Sequence, residues 1–217
     1  MHKTCKPAML YFGTPVVLIS TTNENGTINL APMSSIFWLG WRCVIGLGRG
    51  SKTTDNLIRT KECVLNLPSV DQVNAVDKLA LTTGSEIVPA GKIRRGYTYV
   101  PNKFEIAGVS PVVSEVVSTP GVRECPVCLK ALVRKIHPVG EDDEVIKGRI
   151  VNIELEIVNV RLHSEILQDG QSNRIDPNKW RPLIMSFQHF YGLGDQIHPS
   201  RMAEIPEGLY KMDQNRP

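Results

Sequence analysis

Between Asn29 and Asn56 the chain reads NLAPMSSIFWLGWRCVIGLGRGSKTTDN, and its two ends carry the side chains best suited to chemistry. At the far end, Ser51, Lys52, Thr53 and Thr54 follow three alternating glycines, Gly46, Gly48 and Gly50. Glycines let a backbone approach a ligand closely. The hydroxyls and the ammonium would meet a phosphate where a helix opens, and its free N–H groups and dipole favour a dianion there. A strand-to-helix turn with an ordinary hydroxyl cap is the simpler reading of the same residues. At the near end, Asn29, Ala31, Pro32, Met33, Ser34 and Ser35 form a mostly small-residue segment interrupted by proline. Such a segment can turn free backbone N–H and C=O groups toward the polar edge of a planar heterocycle, or can be a strand end with a bulge.

Two nucleotide motifs are excluded. A Walker A loop needs lysine directly after its last glycine, and here Ser51 separates Gly50 from Lys52. A dinucleotide fingerprint needs G-x-G-x-x-G within a βαβ unit, whereas the glycines here run G-x-G-x-G.

Other reactive residues are more isolated. Cys125 and Cys128 form a C-x-x-C, but the further ligands a zinc site requires are missing, with His137 as the nearest candidate. The pair is expected to begin a strand, which would turn the thiols to opposite faces. Packed or surface thiols are therefore expected. Arg94 and Arg95 lie in a long loop, where they could attract a phosphate-bearing nucleotide or simply be solvated, and Trp38 and Trp41 are expected in the core or at an interface.

These residues need elements to hold them. PVVLISTT, the turn Asn25-Gly26 and TINLAPM predict a hairpin over residues 15–31. IFWLGWRCVIGLG predicts two strands broken at Gly40, and SKTTDNLIRTKE a short helix capped by Ser51 or Thr53. CVLNLP reads as a strand, VDQVNAVDKLAL as a second helix, and residues 82–102 as a long loop or lid. KFEIAG, SPVVSEVVS, ECPVCLKALVRKIHPV and VIKGRIVNIELEIVNVRLHSEIL read as strands, followed by an irregular tail. Strands do not alternate with long helices, so the pattern predicts an antiparallel β-barrel with a few peripheral helices.

At 217 residues the chain can bury a substantial core, and 41% hydrophobic with 22% charged residues is a globular composition. A net charge of +3 without a basic run or an aromatic platform argues against nucleic acid. No window is apolar enough to cross a bilayer, and MHKTCKPAML lacks the apolar run of a secretory signal. Five cysteines, with Cys43 and Cys63 inside apolar runs, fit reduced thiols and a cytoplasmic location.

PVVLISTTNENGTINLAPMSS, SKTTDNLIRTKECVLNLP, NKFEIAG and the late YGLG, taken in order, resemble the flavin reductase-like family of FMN-binding split barrels. The resemblance implies one mainly β domain over residues 1–217, a six-stranded antiparallel split barrel with its core at about residues 14–208 and an irregular C-terminal tail. It implies a homodimer that binds FMN near the dimer interface. It also implies hydride transfer from NADH or NADPH to FMN, with electrons passing to a protein acceptor or oxygenase. A flavoredoxin-like carrier, or a non-enzymatic ligand-binding barrel, is the alternative. Carried over, Ser51, Lys52, Thr53 and Thr54 would hold the phosphate, with Arg49 as a second cation. Asn56 completes S-x-T-x-x-N, fixing the loop or touching ligand. Asn29, Ala31, Pro32, Met33, Ser34 and Ser35 would wall the isoalloxazine and ribityl chain. Because the cofactor carries the chemistry, no catalytic residue and no metal is expected. His198 or Tyr191 would line the nicotinamide pocket if the tail folds over a partner's flavin.

Overall fold

The computed structural model describes residues 2–210. Its main sheet is antiparallel and has seven strands: β1 (Val17–Thr22), β2 (Ile28–Met33), β3 (Ile36–Leu39), β4 (Arg42–Gly48), β5 (Glu62–Leu67), β6 (Val127–Val139) and β7 (Ile150–Leu162). The spatial order is β2-β1-β5-β6-β7-β4-β3. Its two ends, β2 and β3, are consecutive in the chain and separated only by Ser34 and Ser35. One bent segment therefore supplies both edges: Ala31 pairs with Ile19 of β1, and Ile36 pairs with Ile45 of β4. Counted as one bent strand it gives the six of the expected split barrel, and the bend is where the barrel closes.

Period-two alternation fills the inside. Val17 and Ile19, Cys43 and Ile45, Cys63 and Leu65, Ile153 and Leu155 all point into one buried cluster. Strand β1 is buried on both faces, since Val16, Leu18 and Leu30 pack outward against a second cluster. That outer cluster includes Val76 and Leu79 of helix α2 (Val73–Leu79) and Phe104 of a later helix. Helix α1 (Lys52–Thr60) lies between β4 and β5, capped by Ser51, whose side chain accepts from the Thr54 amide. It ends at Lys61 in the left-handed conformation, φ 62°. The hairpin turn is at Asn25-Gly26 as read, with Gly26 at φ 81°.

Three expectations change. KFEIAG is not a strand: Lys103–Ala107 is a helix. The Asn102 side chain accepts from the Glu105 amide at its start, and Gly108 ends it at φ 70°. Those cap residues outweigh the β character of Phe104 and Ile106. SPVVSEVVS contributes only Pro111–Val112, paired with Gly121–Val122. Cys125 lies in the turn before β6, so the two thiols do not face apart; both are buried in the outer cluster. The Cys128 thiol lies 3.3 Å from both Asn66 Oδ1 and the Val122 carbonyl, which share its single proton. Burial pushes both thiols up, which suppresses the reactive thiolate.

Trp38 packs against the barrel core, whereas Trp41 is exposed at the β3–β4 turn. Residues 82–102 carry little regular structure, a short parallel pairing of Thr82–Thr83 with Thr98–Tyr99 and one helical turn, α3 (Ala90–Ile93). Helix α4 is then Lys103–Ala107. No helix among the described residues is long and apolar enough to cross a membrane.

Candidate functional site

The bend that closes the barrel and the loop that opens α1 face each other across a cleft of about 550 Å³. The size falls within the usual range for small-molecule sites, about 300–1,000 Å³. One wall is the end of β2 and the bend, with Asn29, Ala31, Pro32, Met33 and Ser35 lining the cleft. Ser34 is turned to a smaller cavity on the other side of the bend. The Gly46 amide donates to the Ser35 carbonyl at 2.8 Å, and a Cβ on Gly46 would sit 3.4 Å from the Ser35 Cβ. The glycine there lets the bent segment lie close against β4.

The second wall is the start of α1, where Ser51, Lys52 and Thr53 line the cleft. The Lys52 and Thr53 amides, in the first turn, have no intrahelical acceptor. Thr54 is turned away: its hydroxyl donates to the Gly48 carbonyl at 2.9 Å and meets Ser51 Oγ at 2.9 Å. Asn56 does not reach the cleft either. Its amide donates to Thr21 Oγ1 at 3.0 Å and to Asn23 Oδ1 at 2.8 Å, tying α1 to the hairpin. Arg49 is outside the lining and lies 4.0 Å from Asp55. Tyr191 and His198 are exposed and line no part of the cleft.

The two walls are joined through Asn29. Its side-chain N–H donates to Thr53 Oγ1 at 3.1 Å and to Thr21 Oγ1 at 3.4 Å. Since Thr53 accepts from Asn29, its own proton is free to donate into the cleft. Asn29 Oδ1 is buried and has no donor among the described residues, and Gly84 closes over it so tightly that a Cβ there would lie 2.4 Å away.

The roof comes from the expected lid, residues 82–102, and from Lys103 beyond it; of the loop's two arginines Arg95 lines the cleft and Arg94 does not. Thr83, Lys92, Arg95, Tyr97 and Lys103 all line the cleft. Lys92 Nζ donates to Thr83 Oγ1 at 3.2 Å and lies 5.7 Å from the centre of the Tyr97 ring; the Arg95 guanidinium lies 5.6 Å from it. Lys103 is 98% buried, since its relative exposure is 2%. Burial first, and the Lys92 charge second, push its ammonium down to about 8. Burial and then Arg95 push Lys92 in the same direction. Among the described residues no carboxylate lines the cleft. Lys52 is the exception among the cations, because Glu24 holds its ammonium at 2.7 Å from outside the lining. Hydrogen bonding to Lys52 in turn lowers the Glu24 carboxyl.

This donor set fits a phosphate-bearing ligand with a polar, planar part. The cleft is lined by four cations, Lys52, Lys92, Arg95 and Lys103, by hydroxyls and the first turn of α1, and by the backbone and small side chains of the bend. Among the described residues no group of three or more His, Cys, Asp or Glu is arranged to hold a metal.

Known proteins resemble this chain over most of its length. The flavin reductase like domain matches residues 9–194. An uncharacterised protein of Bacillus subtilis strain 168, YdfE, is 38% identical over 203 residues, covering 93% of this chain and 94% of the relative. Among solved structures, flavoredoxin of Desulfovibrio vulgaris (Miyazaki F) superposes with a TM-score of 0.74 at 19% identity, covering 94% of this chain and 100% of its own. Nitrilotriacetate monooxygenase component B from Bacillus cereus gives 0.70 at 19% identity, covering 87% and 88%.

Proposed function

The chain belongs to the flavin reductase-like family, and from that premise we propose that it is an NAD(P)H:flavin oxidoreductase that binds FMN in the cleft between the barrel bend and α1. The observation that carries this reading is one cavity lined by four cations, with no carboxylate among the described lining residues, beside the backbone and small side chains of the barrel bend. The phosphate is held by the Thr53 hydroxyl, the first-turn amides of α1, and the ammoniums of Lys92 and Lys103, with Lys52 kept in place by Glu24, while Ser51 lines the cleft and gives its own proton to Thr54. Asn29, Ala31, Pro32, Met33 and Ser35 wall the isoalloxazine and ribityl chain, and backbone N–H groups of the bend stabilise the charge that develops on reduction. Thr54 and Asn56 shape the loop instead of touching ligand.

FMN, when bound, supplies the hydride-accepting chemistry, so no acid–base or nucleophilic residue is assigned. The protein orients the nicotinamide of NADH or NADPH against the ring and excludes water from the roofed end. Exposed Phe37, Leu39 and Trp41 on and beside edge strand β3 support a homodimer through that edge. Electrons then pass to a further acceptor, a protein or an oxygenase component. Free buried cysteines support a cytoplasmic location.

Titration with FMN, riboflavin and then anaerobic NADH or NADPH tests the proposal. Binding of FMN more tightly than riboflavin, followed by bleaching of the flavin absorbance, is the expected outcome. Binding of riboflavin and FMN with equal affinity would contradict the assigned phosphate site.

A further inference from the structure

On the far side of the bend lies a second cavity of about 210 Å³. It shares Tyr11, Pro32, Met33, Ser35 and Ala80 with the cleft, so the two are neighbours across one wall. Its character is the opposite of the cleft's. Among the described residues no charged side chain lines it, and its apolar lining includes Val16, Val76, Met185 and Phe190. Val16 and Val76 belong to the outer core; Met185 and Phe190 pair in register in the hairpin Ile184–Ser186 with His189–Tyr191. Thioethers and aromatic rings together favour an aromatic plane, through sulfur–aromatic and ring–ring contact. Among the described residues its polar side chains are the hydroxyls of Tyr11, Ser34 and Ser35, of which Tyr11 and Ser35 also line the cleft.

We infer that this side pocket binds a small, neutral, planar aromatic molecule beside the flavin site, as a ligand separate from the cofactor. An uncharged lining selects against phosphates and carboxylates, which the adjacent cationic cleft takes instead. The volume is below the usual range of about 300–1,000 Å³ for drug-sized ligands, which limits the occupant to one or two fused rings. The flavin's own apolar edge is the competing occupant. The inference rests on the flavin reading for the identity of its neighbour, but the pocket can be tested without it.

Menadione, a neutral naphthoquinone, is a suitable probe, measured by calorimetry on the full chain with and without saturating FMN. The expected result is saturable binding of one molecule per chain, at the same affinity in both states. Met185→Trp, which fills the pocket, should weaken menadione by about tenfold while leaving the FMN affinity unchanged. Phe190→Leu, which removes a ring without adding bulk, should weaken it by about threefold and serves if the larger side chain disturbs folding. Absence of saturable binding, displacement of menadione by FMN, or indifference to both substitutions would overturn the inference. Displacement would assign the pocket to the cofactor's ring. Menadione binding in a chain that fails to bind FMN would retain the pocket and remove only the reading of the main cleft.

Discussion

Asn29 on β2 donates to the Thr53 hydroxyl on α1 across 3.1 Å, and this bond ties the two walls of the cleft together. It also sets the direction of the Thr53 proton, since an accepting hydroxyl donates elsewhere. Asn29→Ala should therefore loosen FMN by about 1–2 kcal/mol, five- to thirtyfold, with the Thr53 hydroxyl no longer oriented. Fluorescence titration of FMN checks this, with circular dichroism confirming an unchanged fold. An affinity within twofold of the parent would refute the linking role.

The cations of the cleft are not equivalent. Lys52 is held by Glu24, while no carboxylate in the lining faces Lys92 or Lys103. Lys103→Met should cost about 1.5–3 kcal/mol of FMN affinity, ten- to a hundredfold, and Lys52→Ala less. Riboflavin, which lacks the phosphate, should bind both variants as it binds the parent. Equal losses for riboflavin and FMN would move the phosphate elsewhere.

A pH dependence follows from Lys103. Folded, it loses its proton near 8 because burial disfavours the charged form. FMN affinity should then fall as pH rises above about 8, by up to about tenfold per pH unit, and Lys103→Met should remove that dependence. Without ligand the sign reverses. The unfolded lysine keeps its proton to about 10.4, so between the two values the unfolded state binds more protons and the ligand-free chain gains stability with rising pH. Denaturant titrations at pH 7.5 and 9.5 measure that difference, compared with the variant.

Gly84 is required by space, since a Cβ there would meet Asn29 Oδ1 at 2.4 Å and the Lys52 side chain at 3.2 Å. Gly84→Ala should push the roof off the wall, costing about 1–3 kcal/mol as overpacking does. For a domain of this size that is a loss of about 2–10 °C in Tm. Thermal unfolding followed by circular dichroism gives the answer, and an unchanged Tm would show that the roof yields freely.

The parts of this arrangement visible in the sequence are those encoded locally. The Asn25-Gly26 turn and the Ser51 cap each act within a few residues, so the hairpin and α1 could be read directly. Pro32 does not break its strand: β2 runs on to Met33 with Pro32 paired to Leu18, because an edge strand tolerates a proline. The roof could not be read locally. Lys92, Arg95 and Lys103 reach the cleft only because α2 and α4 pack on the outer core, a tertiary fact with no periodic signal. Asn102 and Gly108 were available as cap signals for α4, yet the short KFEIAG run between them has strand composition. Lys52 looked free in sequence because its partner, Glu24, is 28 residues away on the hairpin turn. Thr54 and Asn56 carried ligand-like chemistry but spend it on Gly48, Thr21 and Asn23.

The central claim is that the cleft binds FMN for reduction by a nicotinamide. Anaerobic titration of the FMN-loaded chain with NADH and with NADPH, followed in the flavin absorbance band, tests it most directly. Stoichiometric bleaching by at least one of the two, and recovery of the band on admitting air, is the predicted result. A chain that holds FMN but is bleached by neither would contradict the reductase assignment, and one that holds no flavin would contradict the site itself.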